Sequence, residues 1–453
     1  MDLIDTPHFP LRSTARGDTA RLRSWYWGVV WAELTARGRS HAWRVLAKLP
    51  LRAARRARAA ATEWGAAARA ATGVSVATQL RRTWWLQVRH GIVPDTVYRH
   101  QLFHPDRLPR AAHFIQRPEA ARLYRLLGSH GYRDEIDTLA DKRRFAAWCE
   151  GNGLPTVDVR LELEGGRVTR DRTGGLGLPT RDLFSKQAAD YGGKGAALWR
   201  FVGDGAYERD GVRFTADELL RELMEQSLAG PVIVQHREAT HPALLPVAPS
   251  ALSTVRVMTL RWPGAPARLL STVFRMSISG AVMDNLTQGG IVSAVDRESG
   301  TLGPAVRLDE RLCRQVHERH PDTGAPIAGL RLPYWADVLA LALRAHDALG
   351  DVPCVGWDVA LVERGALLLE GNWNPGVQLP QLPEGAPLGA TDYARCLSAH
   401  LESRFPRPDW KALLVHSRWE PGAEIRRRGQ PGPAALPATR ESREAIPSLA
   451  TPS

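Results

Sequence analysis

The stretch Val355-Gly-Trp-Asp-Val-Ala-Leu-Val-Glu-Arg-Gly-Ala-Leu-Leu-Leu-Glu-Gly-Asn-Trp-Asn-Pro-Gly376 decides how this sequence is interpreted. It contains two short apolar segments, Asp358–Val362 and Ala366–Glu370, each with the length and β-branched or bulky residues of a buried strand. Between them, Glu363-Arg364-Gly365 suits a tight turn. The stretch therefore predicts a β-hairpin.

Two carboxylates face each other in this predicted hairpin. If Arg364 lies at the centre of the loop, Asp358 lies directly across from Glu370, at roughly 5 Å, where like charges destabilise a sheet. A divalent cation between them would reverse the sign of that interaction. Asn372 falls on the same face if the strand continues, and it adds a neutral oxygen ligand. We therefore expect a metal site formed by Asp358, Glu370 and Asn372. The alternative is a solvated hairpin whose charges bind nothing.

Length and composition indicate a globular chain. Its 453 residues are enough for two or three domains and a large core. No run approaches 18 uncharged apolar residues, so no membrane-spanning helix is expected. The first residues include Asp2 and Asp5 and lack the basic and apolar regions of a signal peptide. The four cysteines are far apart without a C-x-x-C pair, which argues against a zinc site and favours a cytoplasmic protein.

The net charge of +12 is concentrated near the N-terminus. Residues 1–70 hold thirteen Lys and Arg against five Asp and Glu, a surplus of +8. Such a surplus attracts anionic partners, and tryptophans at helical spacing beside arginines are typical of a helix at a membrane surface. Peripheral contact with the acidic inner face of a membrane is one interpretation, and no specific nucleic acid is expected. The alternatives are arginine used for solubility and tryptophan packed against another helix.

The periodicity divides the chain into four parts: a basic helical region over 1–80, a helical segment over 81–150, an α+β core over 151–405, and a disordered tail over 420–453. Asp141 is expected to cap the helix that precedes the core. Within the core we expect strands at Thr156–Glu162, Leu183–Lys186, Ala196–Val202, Pro231–Gln235, Thr254–Trp262 and Leu269–Ser277, and helices at 216–228, Pro333–Leu349 and 391–402.

A glycine-rich loop, Gly192-Gly193-Lys194-Gly195, lies between two of these strands. No helix follows it, so neither a P-loop nor a dinucleotide fingerprint fits. A glycine-rich hairpin can instead fold over phosphates, with backbone N–H groups as donors and Lys194 as a positive charge. Lys186 ends an apolar strand, where a phosphate partner would offset desolvation of its ammonium group. The alternative for Lys186 is a side chain that extends to water.

Arg256 and Arg275 lie in the middle of apolar strands. An arginine in this setting needs a carboxylate or phosphate partner, which is either a ligand or an internal side chain. Asp284-Asn285 and Gly289-Gly290 flank a segment that we expect to be a mobile loop, although polar turns explain these residues equally well.

The order of these parts resembles the ATP-grasp superfamily. The chain contains the following segments in order: Asp-Lys before a helix, a strand ending in Lys, Gly-Gly-Lys-Gly, Val-Ile-Val-Gln, and then Gly-Trp-Asp with Glu-Gly-Asn-Trp-Asn-Pro-Gly. Ser253-Thr-Val-Arg256 and Gly371-Asn-Trp-Asn-Pro375 resemble in particular the sugar-transfer-associated ATP-grasp group. The resemblance covers roughly 95–400 and leaves the Arg-rich N-terminal region and the tail outside it.

The resemblance implies an α+β fold in which two subdomains clasp ATP. It also implies roles for individual residues. The phosphates would be contacted by Lys142, Lys186, Gly192, Gly193, Lys194 and Gly195, and adenine would be flanked by Gln235 and His236. Mg²⁺, with Mn²⁺ as an alternative, would be bound by Asp358, Glu370 and Asn372. The residues acting at the reacting groups would be Arg256, Arg275, Lys186 and Asn374.

The activity implied is that of an ADP-forming ligase. Such an enzyme converts a carboxylate to an acyl-phosphate, which an amine or similar nucleophile then attacks. The carboxylate would be sugar- or peptide-linked, in polysaccharide or peptide-like metabolite biosynthesis. The alternatives are an ATP-grasp kinase that phosphorylates a sugar hydroxyl and a non-catalytic scaffold for a glycosyltransferase complex. No G-x-S-x-G motif supports covalent hydrolase chemistry.

Overall fold

The computed structural model describes residues 16–418 apart from 176, 189–195, 250–251, 279–289, 310 and 313. The described α-helices are α1 (Gly17–Ala36), α2 (Arg39–Ala47), α3 (Leu49–Thr72), α4 (Val76–His90), α5 (Pro94–Arg99), α6 (Arg117–Gly128), α7 (Arg133–Ala140), α8 (Lys142–Gly151), α9 (Ala216–Gln226), α10 (Trp335–Leu349), α11 (Gln378–Gln381), α12 (Asp392–Arg404) and α13 (Trp410–His416). Short 3-10 helices cover Leu108–His113, Pro242–Leu244 and Leu388–Ala390.

Fourteen described strands form two antiparallel sheets. They are β1 (Val159–Glu164), β2 (Arg167–Asp171), β3 (Leu183–Gln187), β4 (Ala197–Gly203), β5 (Ala206–Arg209), β6 (Val212–Thr215), β7 (Val232–His236), β8 (Thr254–Leu260), β9 (Arg268–Met276), β10 (Ile291–Val295), β11 (Leu302–Leu308), β12 (Arg314–His317), β13 (Cys354–Val362) and β14 (Gly365–Asn372). The first sheet has the order β2-β1-β7-β3-β4-β5-β6, and the second has the order β12-β11-β10-β9-β8-β13-β14.

Local sequence signals explain where the helices around the sheets begin. The Asp141 side chain accepts a hydrogen bond from the backbone N–H of Arg143 at 2.8 Å, so the predicted cap of α8 is confirmed. At α9, Thr215 and Glu218 form a reciprocal capping box. These caps satisfy N–H groups that have no partner within the helix, and they fix the point at which each chain segment turns.

A short contact joins the two sheets. The backbone N–H of Leu368 in β14 donates to the carbonyl of Pro155 at 2.9 Å, and the Thr156 hydroxyl donates to the carbonyl of Leu368 at 2.7 Å. Pro155 and Thr156 immediately precede β1, so the entry to the first sheet is tied to the hairpin of the second. The predicted strand over Thr156–Glu162 in fact begins at Val159, because Thr156 forms only this isolated bridge.

The first helix packs onto the C-terminal helices. The ring of Trp25 lies 6.1 Å from that of Phe405 and 5.6 Å from that of Trp410. Buried Arg23 donates to the Glu119 carboxylate at 3.0 Å and to the Phe114 carbonyl at 2.7 Å. Helix α1 therefore uses its tryptophan and arginine for internal packing, which is the alternative considered above for tryptophan at helical spacing.

Several sequence predictions fall outside the described residues: the glycine-rich loop Gly192–Gly195, Asp284-Asn285 with Gly289, and the tail over 420–453. The domain boundaries near 80, 150 and 405 stay predictions. In the described part of the chain, no helix is both long and apolar enough to span a bilayer.

Candidate active site

The β13–β14 hairpin places Asp358 opposite Glu370, as predicted. The route to this pairing differs from the expected one. Val362 pairs with Gly365, so the turn has two residues rather than three, and this register alone would place Asp358 opposite Leu369. A bulge between Asp358 and Val359 shifts the register by one residue and restores the pairing.

Arg256 forms the closest contact with Asp358. Strand β8 lies on the other side of β13, with Arg256 directly across from Asp358. The guanidinium group binds the carboxylate in a bidentate manner, with Nε donating to Oδ1 and Nη2 donating to Oδ2, the latter at 2.9 Å. Both side chains are buried. The partner of Arg256 is therefore an internal carboxylate, which was one of the two alternatives left by the sequence.

Arg275 completes this ion cluster from strand β9. Its Nη2 lies 3.3 Å from Asp358 Oδ2, and its Nε donates to the Thr254 hydroxyl at 3.0 Å. Because cross-strand pairs share a face, Glu370, Asp358, Arg256, Thr254 and Arg275 all project from the same side of the second sheet.

The two carboxyl groups have opposite electrostatic environments. Burial alone would raise the pKa of Asp358, but the positive charges of Arg256 and Arg275 hold it at about 2. Burial and the adjacent Asp358 carboxylate raise the pKa of Glu370 above its ordinary value, while Lys186 opposes that shift. Asp358 is thus a permanent anion, and Glu370 is the member of the pair that more readily holds a proton.

Two lysines approach this cluster from the first sheet and from α8. Lys142 is the first residue of α8; its backbone N–H donates to the carbonyl of Ala188 at 3.0 Å and its Nζ lies 3.4 Å from the same oxygen. Lys186 lies two residues earlier in the chain than Ala188, in strand β3. Burial, reinforced by the charge of Lys142, lowers the pKa of Lys186 to about 8, and Glu370 opposes the shift. The structure therefore brings both predicted lysines to the carboxylate pair.

The predicted metal ligands supply hard oxygen donors, which suit Mg²⁺. The amide Nδ2 of Asn372 donates to Glu370 Oε1 and to the Gly356 carbonyl, both at 3.3 Å, which places this amide directly beside the Glu370 carboxyl group. Arg256, Arg275 and the Glu370 carboxyl group all contact the Asp358 carboxylate, so a metal ion at this carboxylate would replace one of these contacts. Within the described ranges, no group of three or more His, Cys, Asp and Glu side chains is arranged for a metal. The residues present fit a site of two carboxylates and one amide.

Two glycines of the hairpin are required by close contacts. A Cβ at Gly356 would lie 2.8 Å from the side chain of Pro375 and 3.1 Å from Cδ of Arg256. A Cβ at Gly371 would lie 2.7 Å from the side chains of both Leu139 and Trp357. Real Cβ atoms do not approach this closely, so the glycines allow Arg256 to cross β13 and allow α7 to pack against β14.

The remaining predicted site residues are more scattered. Gln235 is buried in β7, between Val159 of β1 and Phe184 of β3. His236 follows it at the end of the strand, with Nδ1 3.9 Å from Asp158, and burial lowers the pKa of its imidazole. Asn374 is exposed after β14. The structure thus places Gln235 and His236 at the end of β7 in the first sheet, and their contact with adenine stays a prediction.

Sequence reasoning missed two site residues, Thr254 and Ala188. Nothing in the sequence pattern indicated that Thr254 would bind Arg275. Ala188 acts through its backbone carbonyl, which carries no signal in the side-chain sequence.

Residues 122–392 match the family described as sugar-transfer associated ATP-grasp. The chain belongs to that family. Accordingly it has an α+β ATP-grasp fold, here with a helical N-terminal region. A comparison with curated proteins finds no match.

Solved structures to which this chain is similar include two ligases and one synthetase. D-alanine–D-alanine ligase from Bacillus anthracis complexed with ATP is 14% identical with a TM-score of 0.35, covering 60% of this chain and 68% of that one. L-amino acid ligase from Bacillus licheniformis is 12% identical with a TM-score of 0.33, covering 58% and 48%. The ADP complex of purK, an N5-carboxyaminoimidazole ribonucleotide synthetase, is 12% identical with a TM-score of 0.32, and the match spans 53% of this chain and 46% of that one. This ATP-grasp chain therefore spans less than half the length of that synthetase.

Proposed function

We propose that this ATP-grasp protein is an ATP- and Mg²⁺-dependent ligase that activates a carboxylate as an acyl-phosphate for attack by an amine or similar nucleophile. One observation supports this most directly. Four cationic side chains, those of Lys142, Lys186, Arg256 and Arg275, surround only two carboxyl groups. The cluster carries a net charge of +2 if both carboxyl groups are ionised and +3 if Glu370 is protonated. Such an excess inside a half-buried site suits a polyphosphate anion.

Each residue then has a role that its position supports. Lys142 and Lys186 would neutralise the phosphate oxygens of ATP, and Arg275 would face the carboxylate or acyl-phosphate at the edge of the cluster. Arg256 is fully engaged with Asp358, so we assign it first to holding that carboxylate in place and second to the substrate. Phosphoryl transfer depends mainly on positioning and charge neutralisation, and this set of residues provides both without a nucleophilic side chain.

Asp358, Glu370 and Asn372 would hold the magnesium ion. When bound, the ion would neutralise charge on the phosphate oxygens. Glu370 would bind it as a carboxylate, and the positive charge of the ion would oppose the effect of burial and Asp358, which raise the pKa of Glu370. Gln235 and His236 would contact the adenine ring, and the glycine-rich loop Gly192–Gly195 would cover the phosphates.

The first test is binding of Mg·ATP, followed as an increase in the thermal unfolding midpoint. We expect Lys186→Gln to remove most of the shift, whereas Arg213→Gln, an exposed arginine of β6, should leave it unchanged. No shift in the unaltered protein would contradict the proposal.

The second test identifies the product. Incubation with ATP and candidate sugar- or peptide-linked carboxylates and amines should yield ADP, phosphate and an amide. ADP with a stable phosphoester would instead indicate a kinase, and nucleotide binding without turnover across all acceptors would favour the scaffold. A setting in polysaccharide or peptide-like metabolite biosynthesis, in the cytoplasm, is part of the same proposal.

A further inference from the structure

The basic charge of this protein is concentrated in helices α2, α3 and α4. Residues 39–90 contain eleven Lys and Arg and one acidic residue, Glu63, a net charge of +10 out of +12 for the whole chain. The basic residues are Arg39, Arg44, Lys48, Arg52, Arg55, Arg56, Arg58, Arg69, Arg81, Arg82 and Arg89. The active-site cluster lies elsewhere, so this charge serves no role in the function proposed above.

Helices α3 and α4 form a hairpin by antiparallel packing. The amide of Gln79 donates to the carbonyl of Gly65 at 3.1 Å, and that of Gln87 donates to the carbonyl of Ala53 at 3.1 Å. The facing surface of α3 consists of small buried residues, among them Ala53, Ala57, Ala60, Ala61 and Ala68. Because alanines fill this contact, the long arginine side chains of α3 are left on the outer side.

The open end of the hairpin exposes large apolar side chains. Trp43 of α2 is 64% exposed, Leu51 of α3 is 57% exposed and Trp85 of α4 is 41% exposed. The indole of Trp84 donates to the carbonyl of Pro50 at 3.0 Å, which brings the neighbouring residues of α3 and α4 together. Trp43 lies four residues before the end of α2, and α3 begins two residues after that end; the Trp43 ring lies 6.3 Å from that of Trp31 in α1. We call Trp43, Leu51 and Trp85 the apolar tip.

Basic residues surround the apolar tip. Arg44, Lys48, Arg52 and Arg55 are all exposed, and none of the four pairs with a carboxylate in the described part of the chain. Elsewhere arginines of this protein do pair: Arg122 with Glu33 at 2.9 Å, for example. The fold thus keeps four unneutralised cations beside exposed tryptophan and leucine, where both groups are available to a partner.

We infer that the tip of the α2–α4 region docks onto a bilayer that contains anionic lipids, with Trp43, Leu51 and Trp85 in the interface and the basic residues against the headgroups. Tryptophan and leucine flanked by Lys and Arg form the composition that binds at the level of the headgroups. Each basic residue near such a surface raises the affinity about fivefold. An aliphatic side chain such as Leu51 contributes to burial in lipid but cannot stack on a base, which favours a membrane over a nucleic acid.

The test is sedimentation of the full chain with vesicles of phosphatidylcholine alone or mixed with phosphatidylglycerol. We expect binding to the mixed vesicles only, weakened by high salt. The variant Arg44→Gln/Lys48→Gln/Arg52→Gln/Arg55→Gln should lose on the order of 10²–10³-fold of the affinity. The variant Trp43→Ser/Leu51→Ser should also lose affinity while keeping the net charge. Both changes are at exposed positions, so the unfolding midpoint should not change.

A matched control is Leu228→Ser, which removes an exposed leucine of the first-sheet region and should leave vesicle binding intact. Equal binding to neutral and anionic vesicles, or no binding to either, would overturn the proposal. So would affinity for anionic vesicles that is unchanged in Trp43→Ser/Leu51→Ser. Tighter binding to a single-stranded oligonucleotide than to the mixed vesicles would show that the surface serves a nucleic acid instead.

Discussion

The second sheet and the α2–α4 region both carry arginine, but they treat its charge in opposite ways. In the sheet, Arg256 and Arg275 are held against Asp358, one of them buried in a bidentate contact. In α2 and α3, Arg44, Arg52 and Arg55 face solvent, and none of them pairs with a carboxylate of the residues that the structure describes. The number of arginines therefore indicates little about their role. Pairing and burial decide whether an arginine fixes a site or remains available to an external partner.

The largest expected effect distinguishes the two regions by catalysis. Glu370→Gln keeps the shape of the side chain but removes the second carboxylate, so it should lower ATP turnover by about 10³-fold, the equivalent of several kcal/mol of lost charge stabilisation. The decrease in turnover is measured as the rate of ADP release with saturating Mg·ATP. The variant Arg44→Gln/Lys48→Gln/Arg52→Gln/Arg55→Gln should turn over at the unaltered rate. Equal losses in both would mean that the division between the regions is wrong.

The next effect concerns stability. Arg256→Gln leaves Asp358 buried with only Arg275 as its charged partner, and breaking a buried pair in this way costs about 3–5 kcal/mol. Chemical denaturation measures the change in the free energy of unfolding. A cost below about 1 kcal/mol would indicate that Asp358 is solvated and that the ion cluster is not what holds β8 and β13 in place.

A third effect is a pH dependence of stability, and it tests the face of the second sheet opposite to Asp358. Buried His346 contacts the Thr259 hydroxyl at 2.7 Å and the Val352 carbonyl at 2.7 Å, and burial lowers its pKa to about 4 from an ordinary value near 6.5. The folded state therefore binds fewer protons than the unfolded state between these values. The contribution of His346 to the free energy of unfolding is fully present above pH 6.5. It is lost as the pH falls through 4, by up to about 3 kcal/mol.

The measurement is the free energy of unfolding at pH 7 and at pH 4.5, for the unaltered protein and for His346→Gln. The difference between the two pH values should be smaller in the variant. An identical pH dependence would show that other groups account for it.

The smallest expected effect concerns stability in the α2–α4 region. Arg55→Gln removes an exposed arginine with no carboxylate partner among the described residues, so the free energy of unfolding should change by less than about 0.5 kcal/mol. The same denaturation curve used for Arg256→Gln measures it. A loss as large as that of Arg256→Gln would mean that Arg55 has a structural partner.

The sequence predicted much of this fold because its signals are local. The cap at Asp141 lies where expected, and it depends on residues within one helical turn. The opposition of Asp358 and Glu370 was also predicted, but for an incomplete reason. A three-residue loop and a two-residue turn followed by a bulge give the same pair, and the alternation of side chains could not distinguish them.

By itself, then, the sequence determined the residue types of the site, the strands that carry them and the excess of charge in the first helices. Only the tertiary structure decided that Arg256 meets Asp358, 102 residues further along the chain, and that Arg55 meets no carboxylate among the described residues. Neighbours across a sheet depend on the order of its strands, and that order follows from the packing of the whole core. Periodicity along one segment does not record it.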